Sequence, residues 1–137
     1  MTAATPDRGI HAGNAPKAVG RYPHARRVGN LLFLSGIGPR DPATDAIADD
    51  IHAQARAVFA NVRAVLEASG ARWEDLVDVT VFLTDMARDF KAYNEVWAEH
   101  FPDPATAPCR TTLGITALPT PIAIELKCVA ALSAQTC

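Results

Sequence analysis

The spacing of apolar residues changes repeatedly along the chain, and each change marks an element. Tyr22 to Arg27 and Leu31-Leu-Phe-Leu-Ser35 flank Gly29-Asn30, which predicts a hairpin whose second strand is apolar enough to lie inside a sheet. Behind Asp49-Asp50, the residues Ile51, Ala55, Val58, Val62, Val65 and Leu66 recur at helical spacing, so a helix runs to Ser69 with Gly70 placed to close it. From Leu76 to Thr84 the period falls to two, with Val77, Val79, Val81 and Leu83 set against Leu76, Asp78, Thr80 and Phe82, as in a strand. A second helix, Ala87 to Phe101, follows from Phe90, Tyr93, Trp97 and Phe101; a stripe of that spacing reads as core rather than as a platform for stacked bases. After Pro102-Asp-Pro104 come two more β-prone runs, Arg110-Thr-Thr-Leu-Gly-Ile115 and Ile122 to Leu132.

The resulting order, β-β-α-β-α-β-β, is that of an α+β domain in which both helices cover one face of a mixed sheet made of four long strands and an N-terminal hairpin. Pro119 and Pro121 speak against a tight hairpin between the last two strands, which are free to pair elsewhere. On the last strand Ile122, Ile124, Leu126, Cys128, Ala130 and Leu132 form a core stripe, and Ala123, Glu125, Lys127, Val129 and Ala131 share the other face. That second face is too apolar for water and too charged for a core, and one short chain has nothing left to cover it. A closed homo-oligomer with ligand sites between subunits is the expectation. Residues 1–14, polar and punctuated by Pro6, Gly9 and Gly13, read as a flexible arm, and residues 15–137 as a single domain.

Composition narrows the function classes. A chain of 137 residues holds one core of ordinary size. Its net charge of −2 and isoelectric point near 6.0 provide no general attraction to nucleic acid or to an anionic membrane, so neither is an expected partner. Cys109, Cys128 and Cys137 lack paired spacing, which points away from a disulfide framework and from a zinc site. The first residues have no apolar leader and no run reaches membrane-spanning length, so a cytoplasmic location is expected.

Two residues stand out chemically. Glu125 interrupts an apolar strand, and an acid there must find a partner, face solvent or shift its pKa. Arg110 opens the preceding strand and reads either as a solvated edge charge or as a cation aimed at a ligand. Cys109 beside it points to the opposite face and reads as packing. Gly36-Ile-Gly38 echoes a dinucleotide loop, but Pro39-Arg40-Asp41-Pro42 supplies neither a third glycine nor a helix start. Arg40 there faces a ligand or water. Gln54 and Asn61, beside the first helix's apolar stripe, read as structural, and Asn94 stays open between the two roles.

Asn14-Ala-Pro16, Leu34-Ser-Gly36, Gln54-Ala-Arg56 through Asn61-Val-Arg-Ala-Val65, Val79-Thr-Val-Phe-Leu-Thr-Asp85, Tyr93-Asn94, and Arg110 followed by Glu125 occur in an order and spacing that resemble the RidA (YjgF/YER057c/UK114) family over residues 15–132. The resemblance implies a chorismate-mutase-like fold, a homotrimer with sites at its subunit interfaces, and hydrolysis of enamines or imines to carbonyl compounds and ammonia without cofactor or metal. It also implies that Arg110 grips the substrate carboxylate and Glu125 holds the attacking water, with Tyr22, Ser35 and Asn94 lining the pocket. Thr112 stands where the commonest members have cysteine, which disfavours a covalent nucleophile there.

Gly20-Arg21-Tyr22-Pro23-His24 and Arg110-Thr-Thr112 look closer to the 2-aminomuconate deaminase branch, whose reaction gives 4-oxalocrotonate (2-hydroxymuconate) and ammonia in aromatic-compound degradation. A six-carbon diacid calls for a second cation, and Arg21, His24 and Arg40 are the candidates. The alternatives are a general 2-iminobutanoate/2-iminopropanoate deaminase that clears reactive imines and, in another class, a non-catalytic ligand-binding regulatory trimer.

Overall fold

The computed structural model describes residues 8–133. Its strands are β1 (Gly9–Ile10), β2 (Ala25–Val28), β3 (Leu31–Leu34), β4 (Leu76–Leu83), β5 (Cys109–Gly114) and β6 (Ile124–Ala131), with helices α1 (Ile51–Ala68) and α2 (Met86–His100). They form one mixed sheet in the order β1-β2-β3-β6-β4-β5. All pairings are antiparallel except β4 with β5. The two proline-flanked final strands are therefore not neighbours, as expected: β6 inserts between β3 and β4, while β5 crosses to the far edge.

Both helices pack on one face. The Asp50 side chain caps α1 by accepting from the Ala53 N–H at 2.9 Å, and Gly70, at φ +78°, turns the chain away where a side chain would be strained. Ala55, Val58, Phe59, Val62, Val65 and Leu66 of α1 meet Leu32, Leu34, Val79, Val81, Ile124, Leu126 and Cys128 from the sheet. Burial in this core pushes the Cys128 thiol up to about 12, so it packs as a small apolar group. Gln54 and Asn61 are structural, as the helical spacing suggested. Gln54 accepts from the Ala123 N–H and donates to the Ala48 carbonyl, while Asn61 donates to the carbonyls of Gly38 and Arg40.

Four expectations need correction. The segment expected as an arm is part of the fold from Gly9 onward: Gly9–Ile10 pairs with β2, and Ala12 is buried. On β4 the phase is wrong at its start, because a register shift between Leu76 and Asp78 places Leu76 inside and leaves Val77 42% exposed. Phe90 is no core residue; it stands at the surface of α2, where Tyr93 and Val96 are the buried apolar positions. Cys109 is exposed on the edge strand rather than packed. Cys137 and residues 1–7 lie outside the described residues.

Candidate active site

Strand β6 carries Glu125 on the sheet face that no helix covers. Register fixes this: Glu125 stands opposite Phe82, while Leu126, opposite Val81, points into the core. The chain after β3 continues beside β6 through a two-bond bridge, Ile37 N–H to Leu126 O at 2.8 Å and Leu126 N–H to Ile37 O at 2.9 Å. That bridge brings Ser35, Gly36 and Gly38 alongside the carboxylate.

Around it lies a cavity of about 180 Å³ bounded by Tyr22, His24, Ser35, Arg40 and Glu125, with Lys17 and Thr120 on its rim. Glu125 is half-buried, and burial alone pushes its carboxyl above the usual carboxylate range. The Ser35 hydroxyl donates to the Pro23 carbonyl at 2.7 Å, so its lone pairs remain for a ligand or water. The Tyr22 hydroxyl accepts from the Val19 N–H at 3.3 Å. The chain from Pro16 to Val19, which also lines this cavity, is held by His24: its Nδ1 accepts from the Ala12 N–H at 2.9 Å and its Nε2–H donates to the Pro16 carbonyl at 2.6 Å.

Those two bonds change the reading of His24 as a cation for a carboxylate. Both ring nitrogens are spent on backbone, and a second ring proton would face the Ala12 N–H. Arg21 is not at this cavity either; it borders a separate, shallow depression with His11 and Arg26. Arg40 does line the cavity. Its backbone is gripped by Asn61, and its guanidinium is steadied by Asp45, at 3.2 Å from a carboxylate that is itself 73% exposed. Lys17 is the cation that sequence reasoning passed over, because it lies in a stretch rich in glycine and proline next to the presumed arm. Its one signal was the Pro16-Lys17 pair preceding Gly20-Arg21-Tyr22.

The second group of candidates is elsewhere. Arg110, on edge strand β5, stands opposite Val79, a core residue, and so projects on the helix side of the sheet. Its guanidinium donates to Asn94 Oδ1 at 2.8 Å and lies 4.8 Å from the Trp97 ring centroid and 5.3 Å from that of Tyr93. The Tyr93 hydroxyl and Thr112 Oγ1 are 2.9 Å apart. Arg110, Asn94 and Thr112 are thus brought together, as are Glu125, Tyr22, Ser35, His24 and Arg40, but the two groups do not meet. Val79 and Phe82 differ by three positions along β4, so Arg110 and Glu125 leave opposite faces. With strand spacings of about 4.8 Å and about 3.3 Å per residue, their Cα atoms are roughly 14 Å apart.

Among the described residues no cluster of three or more His, Cys, Asp or Glu side chains is placed to hold a metal ion, and no helix is long and apolar enough to cross a membrane.

Two helices on one face of a mixed sheet, with an acid-bearing cavity behind it, define the class of protein. A family described as endoribonuclease L-PSP matches residues 12–132, and the chain belongs to that family, which takes in the RidA and YjgF proteins. A 2-iminobutanoate/2-iminopropanoate deaminase of Salmonella typhimurium is 38% identical over 122 residues, covering 88% of this chain and 94% of that one. A RutC family protein of Pyrococcus horikoshii is 41% identical over the same length, with 88% and 94% covered. The crystal structure of RidA from an Antarctic Psychrobacter superposes with a TM-score of 0.85 at 35% identity, covering 91% of this chain and 99% of that one.

Proposed function

We propose that the protein is a hydrolytic deaminase of imine or enamine carboxylates, working as a homotrimer whose sites form between copies of the chain. The observation that carries this reading is the Glu125 carboxyl, half-buried in a cavity with no counter-charge acting on it, so that burial alone sets its protonation. A group so placed holds its proton to higher pH than an ordinary surface acid, which suits it to proton transfer. The imine deaminases among the relatives support the reaction class.

The geometry supports a shared site. A cavity of about 180 Å³ is small against the roughly 300–1,000 Å³ of complete ligand pockets. It lacks a wall, and Arg110 of the same chain cannot supply one. The bare sheet face, with Leu31 and Phe33 exposed, is the surface that association would cover. A second copy docked there brings its own Arg110, already stacked and hydrogen-bonded, to the open side of the cavity.

In the reaction, an enamine first tautomerises to the imine. Arg110 grips the adjacent carboxylate through two parallel N–H donors and fixes the imine carbon against a water held by Glu125 and Ser35. Glu125 takes a proton from the water as its oxygen bonds to the carbon, and the C=N electron pair moves onto nitrogen. The same proton then passes to the nitrogen. The hydroxyl proton then passes through Glu125 to the nitrogen, so that the C–N bond breaks with release of ammonia as the carbonyl forms.

The finer reading is a diacid substrate, with 2-aminomuconate as the prime candidate. Arg40 and Lys17 at the cavity support it, and they replace Arg21 and His24 in that role. The experiment compares kcat/KM for 2-aminomuconate and for the imine of a small monocarboxylate in Arg40→Gln and Lys17→Gln. Loss of a desolvated pair is expected to cost the diacid about 2 to 5 kcal/mol in the responsible variant and to leave the monoacid nearly unchanged. Equal effects on both substrates would make the protein a general imine deaminase.

A further inference from the structure

One residue beside Glu125 has no side chain, and the space a side chain would fill is taken. A Cβ built on Gly36 would lie 2.7 Å from Glu125 Oε2, 2.9 Å from Cδ and 3.4 Å from Oε1, and these are its three nearest neighbours. The φ of Gly36 is not in the left-handed region, so the backbone there does not itself demand glycine. What demands it is the carboxyl group.

The backbone cannot give way. Ile37, next to Gly36, is tied to Leu126, next to Glu125, by both hydrogen bonds of the bridge, and Ser35 N–H is tied to the His24 carbonyl at 2.9 Å. Two residues along the same face of β6, Lys127 donates from Nζ to the Leu34 carbonyl. Gly36 is therefore pinned from before and behind, and a methyl group at this position can be accommodated only by turning Glu125.

We propose that Gly36 is a positioning residue for the proposed chemistry: its missing side chain is the seat of the Glu125 carboxyl, and any larger residue swings that group out of the cavity. This rests on the reading of Glu125 as the residue that handles water. The seat also explains how the carboxyl is kept half-buried without a counter-charge. The charged groups that share the cavity are Lys17 and Arg40, with His24 spent on backbone and Lys127 on a carbonyl, so backbone contact rather than an ion pair sets its place.

The test is a double-mutant cycle that reads stability and titration without substrate. Gly36→Ala and Glu125→Ala should be coupled, since with Glu125 present the added methyl displaces its carboxyl. On the Glu125→Ala background Gly36→Ala should leave the Tm at or above that of Glu125→Ala alone, because the three nearest neighbours of the methyl all belong to that side chain. In folded Gly36→Ala, the Glu125 carboxyl, followed by carbon NMR of the labelled side chain, should titrate lower than in the parent as it turns to solvent. With an imine substrate, kcat should fall at least tenfold while KM changes little. If Gly36→Ala lowers the Tm in the absence of Glu125, or if the Glu125 titration does not move in Gly36→Ala, the proposal is wrong whatever the reaction proves to be. Should Gly36→Ala fail to fold, folding of the Gly36→Ala/Glu125→Ala pair supports the seat, and failure of the pair overturns it. An intact cycle with no deaminase activity in the parent would instead sink the proposed function and leave the seat standing.

Discussion

The cavity at Glu125 and the shelf under Arg110 are built by opposite means. The acid lies in a concavity made from loops and bare sheet, half-buried and with no counter-charge acting on it. The arginine lies on an exposed edge strand, yet two aromatic rings and an amide oxygen fix its direction. A proton-transfer group profits from being unsatisfied, since partnership would hold it in one protonation state. A gripping group profits from being ordered beforehand, since each rotamer frozen on binding would cost affinity. In the proposed reaction neither half is a site alone, and on that reading association is the step that assembles the chemistry.

The strongest way to break that comparison is complementation. Glu125→Gln and Arg110→Ala should each lose at least ~100-fold in kcat, the range expected for removal of an acid–base group or a substrate-positioning grip. Mixing the two inactive chains under conditions of subunit exchange should restore activity to about one quarter of the parent sites, because one junction in four then pairs an intact acid with an intact arginine. Recovery of none would place both residues in a single-chain site or in no site. The unmixed parent should sediment near three times 14.6 kDa; a stable monomer at micromolar concentration would remove the premise.

A smaller effect separates charge from shape on the shelf. Arg110→Lys keeps the charge and loses the planar two-point grip and the stacking on Trp97, so kcat/KM should drop by at least tenfold, about 1.4 kcal/mol. Unchanged turnover would locate the grip elsewhere.

Local periodicity was enough for α1, α2 and the alternation on β6, because one buried face imposes a spacing that a single sequence displays. It was enough too for the separation of β5 from β6, since the two prolines exclude a tight connection. Periodicity failed at Leu76 and Val77, where a register shift that depends on the partner strand reverses the faces. The pairing Gly9–Ile10 with β2 also escaped it, as two residues are too few to show a pattern. At the site, Arg110 and Glu125 stood out by chemistry, but their placement on opposite faces depends on β4 lying between them, a matter of strand order. The place of Lys17 at the cavity and the bonded state of His24 were hidden for a related reason: both follow from how the segment before β2 folds. Gly36 read as part of a failed nucleotide loop, and its open side is filled instead by the Glu125 side chain from the neighbouring strand.

Below Arg110→Lys in size come the residues that hold the guanidinium. Asn94→Ala removes its amide acceptor, and Trp97→Leu removes the nearer ring. Each should lower kcat/KM by about threefold to tenfold, or about 0.7 to 1.4 kcal/mol, within the range of one charge-assisted hydrogen bond or one exposed cation–π contact. Because the shelf is ordered beforehand, the loss should fall mainly on KM, and the Glu125 titration should stay where it is. A shift in that titration would mean that the two halves communicate before substrate arrives.

The smallest expected effect bears on the acid alone. Burial raises the Glu125 carboxyl above its ordinary range, so the folded chain holds that proton more tightly than the unfolded chain does. Where the folded state binds more protons, stability falls as pH rises, and the fall spans the window from the ordinary carboxylate range up to the raised value. Below that window Glu125 is neutral in both states and costs nothing; above it, a charge sits half-buried with no counter-charge to offset it. Glu125→Gln has the same shape and no charge. Its Tm should therefore match the parent at acid pH and exceed it at neutral pH, the two curves parting in the ordinary carboxylate range and the gap levelling off at the raised value. If the parent is the more stable chain at neutral pH, the Glu125 carboxylate has a partner in the assembled trimer, and the contrast between an unsatisfied acid and a satisfied arginine no longer holds.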